Sequence, residues 1–164
     1  MLFRSAASTW RAPPEYSYSV SQAFSRRLET EGDAIMTLEL KYLVAVTVFT
    51  GLLWIPYILN RIAVRGVVDA VGYPENPKPQ ARWAQRLQSA HGNAVENLVV
   101  FATLVLVADA TGISNETTVL ACVVYFWARV AHAAAYTAAL PWVRTLAFTA
   151  GFLSQAALAW QLLA

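Results

Sequence analysis

Between Val119 and Leu140 the chain is as apolar as a membrane span, yet Ala128-Arg129-Val130-Ala131-His132-Ala133-Ala134-Ala135-Tyr136 sets an arginine and a histidine inside it. An arginine facing lipid at that depth costs at least ~2.5 kcal/mol, so other helices must cover its polar side. Arg129, His132 and Tyr136 follow one another at i, i+3 and i+7, and Tyr125 and Cys122 extend the same spacing backwards. On a helix these five form one stripe, and the rest of the circumference is apolar. That segment alone points to an all-α integral membrane bundle rather than to a soluble domain.

The remainder of the chain agrees. Hydrophobic residues make up 57% and charged residues 13%, against roughly 25% charged in a soluble domain. The 164 residues leave room for about four spans of ~20 residues and one up-down bundle. A net charge of +2 is too small and too local to recruit nucleic acid. Cys122 is the single cysteine, which excludes an intrachain disulfide and a cysteine-rich metal site; no metal site is expected, and Cys122 reads as a small hydrophobe in a helix rather than a reactive thiol.

Residues 1–35 differ from the rest of the chain. They are rich in Ser and Arg, contain Pro13-Pro14 and lack the apolar core of a secretory signal peptide. Glu15, Glu29, Glu31 and Asp33 weaken a transit-peptide reading. The segment reads as a disordered extension, or as an overlong start before Met36-Thr37-Leu38-Glu39-Leu40, and the membrane domain is expected over 36–164.

The first span is expected over Leu40–Ile62, with Thr47 and Gly51 as a small pair for close helix contact, Pro56 kinking its far end, and Trp54 and Tyr57 near the membrane interface. Asn60–Arg82, with Gly66, Gly72, Pro74, Pro77 and Pro79, reads as a long loop too broken for a helix. Arg61, Arg65, Lys78, Arg82 and Arg86 cluster here, whereas Asp109–Glu116 has no basic residue. The positive-inside rule therefore puts this loop in the cytoplasm, in a bacterial inner membrane or an organelle membrane. The second span, near Trp83–Ala108, carries Arg86, Ser89, Asn93 and Glu96 as a stripe in its first half. The third descends from Thr117, and the fourth begins at Pro141, a residue suited to a first helical turn, with Arg144 close behind. In this topology Asn93, Glu96, Arg129, His132, Tyr136 and Arg144 converge toward one end of the bundle.

Such a cluster is a basic pocket with one internal acid. Planar guanidinium forks suit carboxylates or a developing anion, so the pocket suits an anionic water-soluble substrate meeting an apolar one from the bilayer. The plainer alternative is that Glu96 and Arg129 form a buried interhelical pair that holds the bundle together.

Ser89-Ala90-His91-Gly92-Asn93-Ala94-Val95-Glu96-Asn97-Leu98 with Phe101, and Arg129-Val130-Ala131-His132 with Tyr136, Pro141 and Arg144, closely resemble the MAPEG family, the membrane-associated proteins in eicosanoid and glutathione metabolism. The resemblance covers about Met36 to Ala164. It implies a four-helix protomer assembled as a homotrimer, with glutathione as cosubstrate between protomers near the cytoplasmic face and a lipophilic small molecule as its reaction partner. By that likeness Asn93, Glu96, Arg129, His132 and Tyr136 bind glutathione, Glu96 through the amino group. Arg144 matches the arginine that holds the sulfur as thiolate, and Thr145 stands where one branch has a serine. A neighbouring cation lowers the thiol pKa from ~8.5 and so raises the thiolate fraction at neutral pH. The chain also departs from the pattern: Ser89 and Gly92 replace two arginines, and Phe148 replaces a tyrosine. Arg86 or Arg82 are the candidates to meet the carboxylate those arginines would have met.

Two readings are consistent with these residues. One is a glutathione-dependent transferase or peroxidase acting on lipophilic electrophiles. The other is a noncatalytic trimeric membrane protein whose polar network is structural. A transporter is disfavoured because the chain has neither a paired inverted repeat nor a broken midspan helix.

Overall fold

The computed structural model describes residues 36–164; the expectations for residues 1–35 lie outside the described residues. The described chain is all helical: α1 Leu38–Leu52, α2 Trp54–Val71, α3 Arg82–Thr111, α4 Glu116–Thr137 and α5 Pro141–Leu163. Helices α1 and α2 make one continuous apolar length, so four units are long and apolar enough to cross a bilayer. The expected four-helix bundle is the observed one.

Proline explains the break in the first span. Pro56 has no N–H for the Leu52 carbonyl and its ring crowds that oxygen; α1 ends at Leu52, the Leu53 amide tightens onto the Thr50 carbonyl (3.2 Å), and α2 restarts at Trp54. The helix then runs further than the sequence suggests. It passes Asn60 and Arg65, bends at Gly66, whose φ of 80° suits a residue without Cβ, and stops at Val71. The true connection is residues 72–81, and it is fastened to α2. Arg65 Nε donates to the Lys78 carbonyl (2.7 Å), Gln80 Nε2 to the Tyr57 carbonyl (2.6 Å), and the Ala81 amide to Asn60 Oδ1 (3.1 Å). Gly66 kinks the helix but does not end it, because one left-handed residue costs glycine little.

The other boundaries reflect capping chemistry. Helix α3 ends at Gly112 in the left-handed region (φ 70°), and the Ile113 amide bonds back to Ala108 O (2.9 Å). At the start of α4, Asn115 Oδ1 accepts from the Thr117 and Thr118 amides, while Thr118 Oγ1 accepts from the Asn115 amide. A tight turn through Ala139, itself at φ 62°, leads into Pro141 at the first turn of α5.

The core is built from Leu43, Val46, Phe101, Val105, Ala121, Cys122, Tyr125 and Leu158, with the Phe101 and Tyr125 rings stacked 3.8 Å apart. Cys122 is a buried core residue, in keeping with its reading as a small hydrophobe. Around this centre large side chains such as Val99, Leu106, Leu146, Phe152 and Leu153 face outward, the pattern of a surface solvated by lipid. One local expectation is corrected. Thr47 and Gly51 are exposed, and among the described residues nothing lies within 4 Å of where a Gly51 Cβ would stand, because α1 turns its Leu43–Val46–Thr50 line inward instead. Tyr57 packs on Ala84 and Leu87 and its hydroxyl lies 3.0 Å from His91 Nδ1.

Candidate functional site at the basic end of the bundle

The stripe on α4 points inward. Cys122, Tyr125, Arg129 and His132 are buried and Tyr136 is half-buried. Arg129 is 2% exposed, the largest fully buried side chain in the described protein. Its guanidinium reaches Asn93 Oδ1 on α3 through Nη1 (3.4 Å) and the Phe148 carbonyl on α5 through Nη2 (3.5 Å). Both bonds are at the long limit, and Nε has no partner among the described residues. The cation is instead sandwiched by rings, with Cζ 5.3 Å from the Tyr125 centroid and 5.6 Å from that of Phe148.

Room for this charge comes from Gly151 on α5. A Cβ there would lie 3.1 Å from Arg129 Cζ and Nε and would collide with Nη2. Gly151 and the Phe148 backbone carbonyl are not legible from motifs; a buried glycine opposite an intramembrane arginine is the signal that could have found them.

One turn along, His132 lies against Tyr136 (5.6 Å between centroids) and Phe148 (6.1 Å). Arg144, at the start of α5, sets its Cζ 4.8 Å over the Tyr136 ring. Arg144, Tyr136 and Arg86 then line one cleft of about 230 Å³, closed by Ala135, Ala139, Leu140 and Pro141. Arg86 is positioned by a bond from its Nε to the Thr137 carbonyl (2.8 Å), which ties α3 to the last turn of α4. Arg82, the other candidate cation, is exposed and does not line the cleft. Among the described residues no acidic side chain lines this cleft, so its two guanidiniums meet no opposite charge there.

The stripe on α3 divides. Its buried line is Ala84, Leu87, Ala90, Ala94, Phe101, Val105 and Ala108, and Arg86, Ser89 and Asn93 each stand one residue, or ~100°, to the side of that line. From there Arg86 and Asn93 reach α4, whereas Ser89 bonds its own helix at Gln85 O (3.2 Å). Glu96 is exposed, and no hydrogen bond or ion pair joins it to Arg129 among the described residues. The Glu96–Arg129 pair that spacing allows is therefore not formed within the chain; Asn93 takes that place. Thr145 Oγ1 donates to its own helix at Pro141 O (2.9 Å).

The arrangement can hold an anion or a polarisable sulfur between Arg86 and Arg144, with an aromatic floor at Tyr136. No curated protein and no solved structure matches the chain. A family model, described as the MAPEG family, matches residues 43–164 and so takes in all four spans and every residue of this site. The chain is a member of the MAPEG family of integral membrane proteins.

Proposed function

We propose that the protein is a glutathione-dependent membrane transferase or peroxidase acting on lipophilic electrophiles, working as a homotrimer with its basic end toward the cytoplasm. The observation that carries this reading is the acid-free cleft in which Arg86 and Arg144 stand together over Tyr136. Glutathione brings two carboxylates, an amino group and a thiol. The residues fit that inventory: guanidiniums at Arg129 and Arg144 for negative charge, and Glu96, an exposed carboxylate unpaired among the described residues, for the amino group. In this reading Asn93, Glu96, Arg129, His132 and Tyr136 bind the peptide and Arg144 stabilises the sulfur as thiolate. Bound glutathione supplies the nucleophile, and the protein holds it and keeps the sulfur facing the apolar partner. An exposed Glu96 on a span is costly in lipid, which supports a neighbouring protomer closing that side.

The alternative, a noncatalytic trimer with a structural network, draws on the Asn93–Arg129 bond and the fitted Gly151 cradle. Substitution separates the two. Arg144→Ala should abolish glutathione-dependent turnover of a lipophilic electrophile and leave the crosslinked trimer unchanged. Glu96→Ala should weaken glutathione binding with the trimer intact. Collapse of the trimer in both variants would favour the structural reading.

A further inference from the structure

Arg86 faces two spaces. Beyond the cleft it shares with Arg144, it closes one end of a separate groove of about 600 Å³ between α1, α3 and α4, along Phe49, Leu53, Leu87, Val130 and Ala134. The groove lies at the Pro56 break, where α1 stops and α2 packs onto α3 through Tyr57, Ala84 and Leu87. It opens sideways: Ala134 on α4 and Ala138 just past its end are exposed, and Phe49 and Leu53 are half-buried. Among the described residues its lining is apolar except for Thr137 and Arg86, and Arg86 is the one charge on it. The bond from Nε to the Thr137 carbonyl fixes the guanidinium at the mouth. Among the described residues its two terminal nitrogens make no hydrogen bond, and their N–H donors suit another acceptor.

We infer that this groove seats an acidic phospholipid of the surrounding leaflet, its phosphate on Arg86 and one acyl chain lying along α1 and α4. A fixed guanidinium fork matches phosphate. Arg82 stands one turn before Arg86 on α3, and Arg61, Arg65 and Lys78 gather at the same end of the bundle, so the local field selects a net-negative headgroup over a zwitterionic one. Trp83, also on the lining, stands one residue from Arg82 near the start of α3, and an indole suits a headgroup boundary. Arg86 lines both this groove and the cleft, so the headgroup preference is read with no thiol present.

Native mass spectrometry of the full chain, released from detergent with equimolar phosphatidylglycerol and phosphatidylcholine of identical acyl chains, tests the inference. The wild type should retain phosphatidylglycerol over phosphatidylcholine by about fivefold, the ratio expected for one arginine at a headgroup. Arg86→Gln should erase the preference, and Arg86→Lys should keep most of it. Ala134→Trp, which fills the groove from its exposed wall, should lose both lipids while the oligomer mass stays that of wild type. Glycerol 3-phosphate alone should leave no adduct, since it has no chain to bury. Equal retention of the two lipids, or undiminished retention in Ala134→Trp, would overturn the assignment. A changed oligomer mass in Ala134→Trp would overturn it too, because a second copy of the chain would then be the occupant of the groove.

Discussion

The two ends of the bundle handle buried charge in opposite ways. At the end where α1 begins, Glu39 is 4% exposed and is held by its own chain: Thr118 Oγ1 and Ser114 Oγ donate to Oε1 at 2.6 and 2.8 Å, which ties α1 to the α3–α4 turn. At the other end Arg86, Arg129 and Arg144 meet carbonyls, one amide oxygen and aromatic faces, but no carboxylate among the described residues. An acid held by short hydroxyl bonds fixes two elements against each other. The arginines also brace helices through carbonyls and an amide oxygen, but their charge is left without a counter-ion among the described residues. The proposed function assigns that uncompensated charge to a ligand, whereas the charge on Glu39 is taken up by the fold.

Substitutions at the two ends should therefore leave opposite signatures. Glu39→Ala removes the charged acceptor of two hydroxyl bonds, leaves Thr118 Oγ1 on the Asn115 carbonyl (2.8 Å) and unties α1; it should destabilise by about 2 kcal/mol, seen as a lower midpoint in thermal unfolding, with glutathione affinity unchanged. A Glu39→Ala variant that kept wild-type stability but lost ligand would break the comparison. Gly151→Ala pushes a methyl into the Arg129 guanidinium. Because the end of that side chain is flexible and weakly bonded, the stability loss should be only about 1 kcal/mol, while glutathione affinity falls severalfold in a titration. A loss of stability as large as at Glu39 would show that Arg129 is structural after all. Smallest of all, Ala139→Gly relieves a left-handed alanine in the α4–α5 turn and should raise stability by about 0.5 kcal/mol in the same unfolding assay, the relief being partly offset by the entropy of a freer unfolded chain.

Much of this can be read in the sequence because hydrophobic length and proline chemistry act locally. The four spans, the Pro56 break and the start of α5 at Pro141 each depend on a few neighbouring residues. The inward stripe on α4 is legible for the same reason, since an intramembrane arginine has few places to go. The partners are not. Spacing puts Glu96 on one stripe with Asn93, but spacing does not say on which side of the buried line a stripe lies, and the ~100° offset leaves Glu96 exposed while Asn93 meets Arg129. Gly151, the Phe148 carbonyl and the Glu39–Thr118 tie depend on helices distant in sequence, where no local rule acts. The run of helix past Asn60 escapes a sequence reading because Gly66 looks like a stop when it is a bend.

The proposed function requires the basic end to hold a thiolate, while the bonds to Glu39 give the other end to the fold. Its most direct measurement is a glutathione titration of the purified, detergent-solubilised protein, following thiolate absorbance in the ultraviolet for wild type, Arg144→Ala and Glu39→Ala. The account predicts a saturable thiolate signal in wild type and in Glu39→Ala below its melting point, and none in Arg144→Ala. No signal in wild type at millimolar glutathione, or an undiminished one in Arg144→Ala, would contradict it.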